Sequence, residues 1–530
     1  MPTVRNTLLI HLTPGEAARH LGSNPGDSSK PGLSQGGSGD RYRAKRRLTY
    51  ASLATLSLGL LVSAPVSSAG ASAASKPPPG AESATVAGWL NGQLREQSDA
   101  FNAWDIGGEL RLRYESKDSA GPYPNNDFIA QGKVNSNDEL AQRLRIHLGY
   151  SPLPWLTTYV EGRGSFEQED LRNPSPDSDR ADLQQAYVQF GDVRRFPLVA
   201  TVGRQELIYG DQHMIGNGDW SNTARSFDAA KFHYENPNFW LDAFVGRLVV
   251  PYDNQLNKSN DYDTLYGLYG SSKTFIPWQE TQLYLLLRDA SSKAPNATAP
   301  GVPGTPTTAR DICTLGTRWT SLPGSLAGWD YALEAALQFG NIVQSNVRRD
   351  QQAYAVFASG GYTFNNTWGS PRLGAGYDFG SGDNNPNDGK NQTFDNLFST
   401  NHRFYGTMDL FCERNMQIPR LSASIKPNKQ LSLSCDYLMF WLANTSDYLY
   451  PESGSGRKGN GYGLHPGYNS YVGSEIDLVA TYSLNPACEL QLGGGHFFAG
   501  EYIKQSVDSV AANGGTSDAN WFYTQIRLRF

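Results

Sequence analysis

From Asp105 onward, apolar and polar positions alternate with a period of two. Leu110-Arg111-Leu112-Arg113 and Arg143-Leu144-Arg145-Ile146-His147-Leu148 show it most plainly. Successive side chains of a β-strand point to opposite faces, so this spacing predicts strands that are apolar on one face and charged on the other. The segments run about ten residues between turn residues, the pattern of a transmembrane antiparallel β-barrel with an apolar outside and a wet lumen. Arginine recurs on the second face too often for a soluble sandwich, where it would lack water.

Connections alternate in length. Pro152-Leu153-Pro154, Asn236-Pro237, Pro427-Asn428-Lys429 and Asn485-Pro486 are short, while 116–138, 290–310 and 444–470 are long. Short turns face the periplasm in such barrels and long loops face outside. The alternation yields nineteen candidate strands, from 105–115 to 519–530, whereas bacterial single-chain barrels are normally even. Chain direction resolves the parity. Segment 430–442 runs outward into a long loop, so 418–426 runs inward, and 370–382 runs outward before it. Segment 402–411 therefore belongs to an extracellular excursion from Asp383 to Pro419, and about 18 strands are expected. The chain ends WFYTQIRLRF, alternating up to a terminal aromatic, the feature by which barrel-assembly machinery recognises its clients.

Composition adds the compartment. The 530 residues include 55 Gly and 28 Tyr and are 18% charged. A basic run, Arg41 to Arg47, precedes an apolar stretch, Leu53 to Val62, and small residues ending at Ala69. That is a secretory signal, so residues 1–69 read as a disordered N-terminus plus signal. Residues 70–104 read as a linker with a short helix around Val86 to Arg95, and 105–530 as the barrel. Without the first 69 residues, 37 basic and 48 acidic side chains remain, a charge of about 11 negative, which argues against a nucleic-acid partner. The four cysteines form no CxxC pair and read as small apolar strand residues.

The polar face carries the chemistry. Arg111, Arg113, Arg143, Arg145, Arg163, Arg204, Arg318, Arg527 and Arg529 point inward if the more apolar face meets lipid, with Arg288 and Lys231 beside them. Glu161, Glu206, Glu334, Asp436, Glu475 and Asp477 share that wall. Inward charges often knit a wet wall together in ion pairs. However, closure sets the first strand beside the last, which gathers Arg111, Arg113, Arg143, Arg145, Arg527 and Arg529 into one basic sector. Each guanidinium offers a planar fork to a carboxylate, so the sector suits a polyanion. The loop GDNNPNDGKNQTFDNLFSTN (382–401) does not fit a calcium loop, because Asp388 stands where the glycine belongs and Phe394 where the closing Glu belongs. A polar lid over or into the pore is expected instead. Trp220-Ser221-Asn222 offers a serine, but the nearest histidine, His213, lies in a glycine-rich loop rather than on a strand, so an outer-membrane lipase is disfavoured. No cofactor or metal site and no enzymatic activity are expected.

Two stretches, GRQELIYGDQHMIGNGDWSNTARSFDAAKF (203–232) and YDFGSGDNNPNDGKNQTFDNLFSTNHRFYGTMDLF (377–411), with IKPNKQLSLSCDYLMFWLA (425–443), resemble the alginate export family of outer-membrane proteins. The resemblance extends diffusely over 104–530. It implies an 18-stranded monomeric barrel with an arginine-lined constriction that passes a linear polyuronate outward. Matching positions are Arg204, Glu206, Asp211, Trp220, Arg225, Asp228, Lys231, Asp383, Asn387, Asp388, Asn401 and Asp409. By this resemblance Arg204, Arg225 and Lys231 face the constriction and Asp228 orients or gates them. Glu206 and Asp409 act as structural partners, while Asp211, Trp220, Asp383 and Asp388 belong to loops that gate. The expected function is an anion-selective pore for an acidic polysaccharide in the cell outer membrane, with lipid, assembly machinery and periplasmic export proteins as partners. A general porin for small anions or sugars and a plugged structural or adhesin barrel are the alternatives.

Overall fold

The computed structural model describes residues 88–120, 127–130, 135–172, 175–253, 255–291, 309–344, 346–402 and 404–530. The expected signal and disordered N-terminus lie outside the described residues. A helix, Trp89–Gln97, stands where the sequence predicts one, and a 3₁₀ turn, Asp99–Ala103, leads from it into the barrel. Asn91 donates from Nδ2 to Asp105 (3.0 Å) and Arg95 donates to the Trp104 carbonyl (2.8 Å), fastening the helix beneath the first strand.

The strands are β1 (Trp104–Asp118), β2 (Asn137–Leu153), β3 (Leu156–Gln168), β4 (Asp179–Phe190), β5 (Leu198–Gln205) and β6 (Phe227–Glu235). They continue as β7 (Trp240–Val250), β8 (Lys258–Ile276), β9 (Gln279–Ala290), β10 (Arg310–Ser321), β11 (Trp329–Gln344), β12 (Val347–Thr363) and β13 (Arg372–Gly380). After the two-residue β14 (Lys390–Asn391) come β15 (Met416–Ile425), β16 (Leu431–Leu442), β17 (Tyr471–Asn485), β18 (Cys488–Ala499) and β19 (Ala519–Arg529). Neighbours along the chain pair antiparallel and β1 pairs with β19, so the sheet closes on itself and has no edge. The short β14 lies parallel to β12, while β13 pairs directly with β15. Eighteen strands therefore form the wall. Segment 402–411 contains no strand among its described residues, in agreement with chain direction.

Alternation of burial fixes the two faces. On β2, Leu144, Ile146 and Leu148 are 41–52% exposed, whereas Arg143, Arg145 and His147 are at most 1% exposed. The apolar phase faces lipid and the charged phase faces the lumen, where it is covered. Two connections do the covering, 206–226 between β5 and β6 and 381–415 between β13 and β15. Leu207, Tyr209, Met214 and Ile215 of the first pack with Phe394, Leu397 and Phe398 of the second, against Phe244, Tyr269, Tyr284 and Phe357 of the wall. Phe404, Tyr405, Met408, Leu410 and Phe411 form a second cluster with Phe440, Phe497, Trp521 and Tyr523. The helix Glu501–Asp508 adds Tyr502, Ile503 and Val507 to it. The apolar core of this protein is thus inside its barrel, made by inward-folded loops.

Glycine in the inward phase makes room for wall aromatics. A Cβ at Gly316 would stand 2.1 Å from the Tyr284 ring. Gly316→Ala must therefore displace that ring and its 2.7 Å hydrogen bond to Glu334. Overpacking of this kind costs about 1–3 kcal/mol, and a lowered urea midpoint for unfolding from lipid vesicles is the expected result.

Candidate pore lining and the loops that fill it

Because β1 is flanked by β2 and β19, the register sets Arg111 opposite both Arg143 and Arg527. Arg113 and Arg145 follow on the same two strands and Arg529 on the third, so six arginines lie on three neighbouring strands. The sector is not bare. Glu109, on β1 and 0% exposed, lies 2.8 Å from Arg143, 3.5 Å from Arg527 and 3.7 Å from Arg529. Glu115 lies 2.7 Å from Arg113.

The tip of the 206–226 loop completes the arrangement. Asp219 sits 3.0 Å from Arg143, 3.0 Å from Arg145 and 3.9 Å from Arg527. Arg111 donates to the carbonyls of Asp219 (2.6 Å) and Trp220 (3.0 Å), and Arg113 donates to that of Trp220 (2.7 Å). Burial opposes the charge on Asp219, but Arg143, Arg145, Arg111 and Arg527 outweigh it and hold the carboxyl below the ordinary range. Trp220 lies under the Arg113 guanidinium at 3.9 Å and stacks on His402 at 3.7 Å, with Tyr523 edge-on at 5.0 Å. His402 in turn meets Asp409 at 2.8 Å. Trp220 thus joins both loops to the closing strands.

The second loop is anchored in the same manner. Asp395 contacts Arg310, lies 3.1 Å from Arg414 and 3.8 Å from Arg288. Burial again opposes ionisation, and Arg310, Arg414 and Arg288 overcome it, lowering the carboxyl below its usual range. Arg225 ties the loops to each other by donating from one nitrogen to the carbonyls of Gly216 (2.7 Å), Phe398 (2.5 Å) and Ser399 (3.2 Å). Burial, then the nearby Arg288, lowers it to about 10, leaving it charged at neutral pH.

Other expected residues fall elsewhere. Lys231 is inward and buried, and among the described residues no ion pair holds it. Asp211 pairs with Arg318 of the wall at 2.7 Å. Glu206 lies 3.6 Å from Arg145 and accepts from Gln184 and Asn217, both at 2.8 Å. Asp383 and Asp388 cap turns inside their own excursion, accepting from the backbone N–H of Asn385 and Lys390. The lid expected at 382–401 does enter the lumen. Its entering part is mixed: Phe394, Leu397 and Phe398 supply apolar packing, and Thr393, Asp395 and Asn396 are buried beside them.

Arg204 and Asp228 correct the expectation of a constriction built on them. Arg204 shares the phase of Leu198 and Val202, which are 38% and 51% exposed on the outer face. It reaches Asp228 (2.8 Å), Asp182 (3.3 Å) and the Asn257 carbonyl (3.1 Å) at the outward end of the wall. β5 ends at Gln205, so Glu206 is released from the alternation and turns inward, although it stands two residues from Arg204. Glu109 and Asp219, by contrast, were not anticipated. Glu109 was legible as the next inward position before Arg111, whereas the place of Asp219 depends on the loop's tertiary path.

Glu413, near the end of the second loop just before β15, is fully buried and accepts from Asn396 at 3.3 Å. Burial pushes its carboxyl up to about 8. A raised acid binds its proton in the folded state between about pH 4.5 and 8, where the unfolded chain has released it, so stability falls as pH rises through that window. Protection factors of 396–415, corrected for the intrinsic rise of amide exchange with pH, should fall from pH 5 to 8, and Glu413→Gln should flatten that fall.

A closed antiparallel barrel with an apolar outer face and long loops at one end is an outer-membrane β-barrel, and comparison with solved structures agrees on the fold. OpdQ of Pseudomonas aeruginosa is 12% identical over 81% of this chain and 98% of its own, at a TM-score of 0.50. OccAB1 of Acinetobacter baumannii is 11% identical over 80% of this chain and 97% of its own, also at 0.50. Among curated proteins, none matches the sequence. The alginate export family model matches residues 103–516, and the chain belongs to that family. It is a transport barrel of the outer membrane.

Proposed function

We propose that the barrel passes an acidic polysaccharide of the polyuronate type across the outer membrane as a passive, anion-selective pore. The observation that carries this is the carboxylate of Asp219 seated among Arg143, Arg145 and Arg527. A uronate presents the same planar acceptor, repeated along a chain, and arginine forks recognise it without chemical change. Arg111, Arg113 and Arg529 extend the surface on which successive carboxylates bind, and Lys231 and Arg225 add charge beyond it. Many weak sites favour passage where one tight site would stall it. Loop 218–222 occupies this surface, so transport requires that the loop yield to cargo.

A plugged structural barrel is the second reading, favoured by the apolar packing of Phe394, Phe398, Phe404 and Phe411 inside the wall. Single-channel recording of the refolded mature chain separates the two. Anion-selective reversal potentials, with block by oligouronates and not by neutral oligosaccharides, are expected, and Arg527→Ala should weaken the block. Conductance with neither preference nor block would leave a general porin for small anions or sugars. Absence of conductance, also on adding oligouronate, would leave the plugged barrel.

A further inference from the structure

The connection between β1 and β2 turns back into the barrel at 127–130. Asp127, Phe128 and Ile129 are buried there, and the Phe128 ring lies 5.2 Å from that of Phe497 and 6.5 Å from that of Phe411. Their apolar cluster includes Trp521 and Tyr523, which meet Trp220 of the first lumenal loop at 6.0 and 5.0 Å. β1 leads outward from Arg111 into this connection, and β19 runs inward from Trp521 to Arg527. Segment 127–130 therefore lies over the outward end of the basic sector. Its backbone is fastened to the connection between β18 and β19, with the Ala130 N–H donating to the Gly515 carbonyl (3.0 Å) and the Ser517 N–H to that of Phe128 (2.9 Å).

A single charged contact ties the segment to the connection between β16 and β17. Arg457 of that connection is buried, and its one ion pair among the described residues is with Asp127, at 2.6 Å. The guanidinium sits over the rings of Phe128, Phe411 and Tyr462, at 5.3–5.8 Å from their centres. A charge enclosed in this way depends on its counter-charge, because removing one member of a buried pair leaves the other uncompensated. The backbone is under tension at the same place. Phe128 has a φ of +65°, a region that bulky residues rarely enter and keep only where their surroundings enforce it.

We propose that segment 127–130 is a strap over the outward exit of the arginine sector, with Asp127 and Arg457 as its latch. The proposal rests on the reading of the barrel as a pore. While the pair is intact, Phe128 stays inserted between Phe411 and Phe497 and keeps the aromatic cluster closed outward of Trp220. When the pair parts, the strap gives up its counter-charge and its strained turn together, so release is all or none rather than gradual. The loop tip at Asp219 guards the same route further inward, and the two barriers are built from different loops. Passage therefore requires two separate releases, one at each end of the basic sector.

Hydrogen exchange of the mature full-length barrel in detergent micelles reads the latch, and single-channel recording reads the exit. Both are run at pH 8, where Asp127, pushed up to about 6 by burial against the pull of Arg457, is ionised. Asp127→Asn should speed exchange at 128–130 and 515–517 about tenfold or more, and channel openings should become more frequent by a similar factor. Arg457→Met should do the same. The double variant leaves no buried charge uncovered, so it should return toward wild type in both readouts. Additive effects in the double variant would mean that packing alone holds the segment, and unchanged exchange in both single variants would exclude the latch. Faster exchange with unaltered openings would show that the strap is not a gate. If wild type and variants alike fail to conduct, the pore reading falls and the gate with it, whatever exchange reports. Heat-modified gel mobility confirms that each variant is folded, and if the Arg457 variant fails to fold, the near-isosteric Asp127→Asn still decides.

Discussion

Asp219→Ala should raise the anion-to-cation permeability ratio of the reconstituted barrel on the order of tenfold, a change equivalent to about 1.4 kcal/mol per ion. The substitution removes the carboxylate that Arg143 and Arg145 share at 3.0 Å. Arg111 still holds the carbonyls of the loop tip, but the charges that the aspartate neutralised now attract mobile anions. Breaking a buried pair by deleting one partner costs about 3–5 kcal/mol, so the loop should also detach more often, seen as higher mean conductance. Asp219→Asn keeps the shape and removes the charge. It should therefore shift selectivity as strongly while disturbing conductance less. An unchanged reversal potential in both variants would mean that the arginine sector does not face the ion path.

Arg225→Ala should release both lumenal loops together. Its guanidinium is the common donor to Gly216 on one loop and to Phe398 and Ser399 on the other. The Gly216 and Ser399 carbonyls lose this donor, at about 1–3 kcal/mol for each buried acceptor left unsatisfied, while the Phe398 carbonyl keeps the N–H of Gly216 at 2.9 Å. Hydrogen exchange should therefore accelerate in 206–226 and in 394–401 at once, while the strands stay protected. Arg225→Lys, with a single ammonium on a flexible stem, should recover part of the protection. Acceleration confined to one loop would show that the loops are held independently.

The wall was legible because lipid imposes a strict alternation that no other environment enforces on so many segments. Chain direction then removed segment 402–411 without any structural knowledge. The site was legible only in part. The basic sector follows from phase plus closure, and Glu109 lies in the same phase. Arg204 was misplaced because the charged pair Arg204 and Glu206 drew attention from the apolar phase Leu198, Ala200 and Val202, to which Arg204 belongs. The lumenal core could not be read at all. Phe394, Leu397 and Phe398 sit in a stretch rich in Asn, Asp and Gly, and their burial depends on partners distant in the chain, such as Phe227 and Phe357.

The seam between β1 and β19 sets Arg111 across from Arg527, two like charges in direct opposition that would repel while the sheet is still open. Asp219 contributes to neutralising them, and it arrives from the hairpin of β5 and β6, far from either end of the chain. Glu109, on β1 itself, supplies the other counter-charge, at 3.5 Å from Arg527. The weld that closes this cylinder and the stopper inside it therefore draw on a common set of carboxylates, so a change made to loosen the stopper also loads the weld.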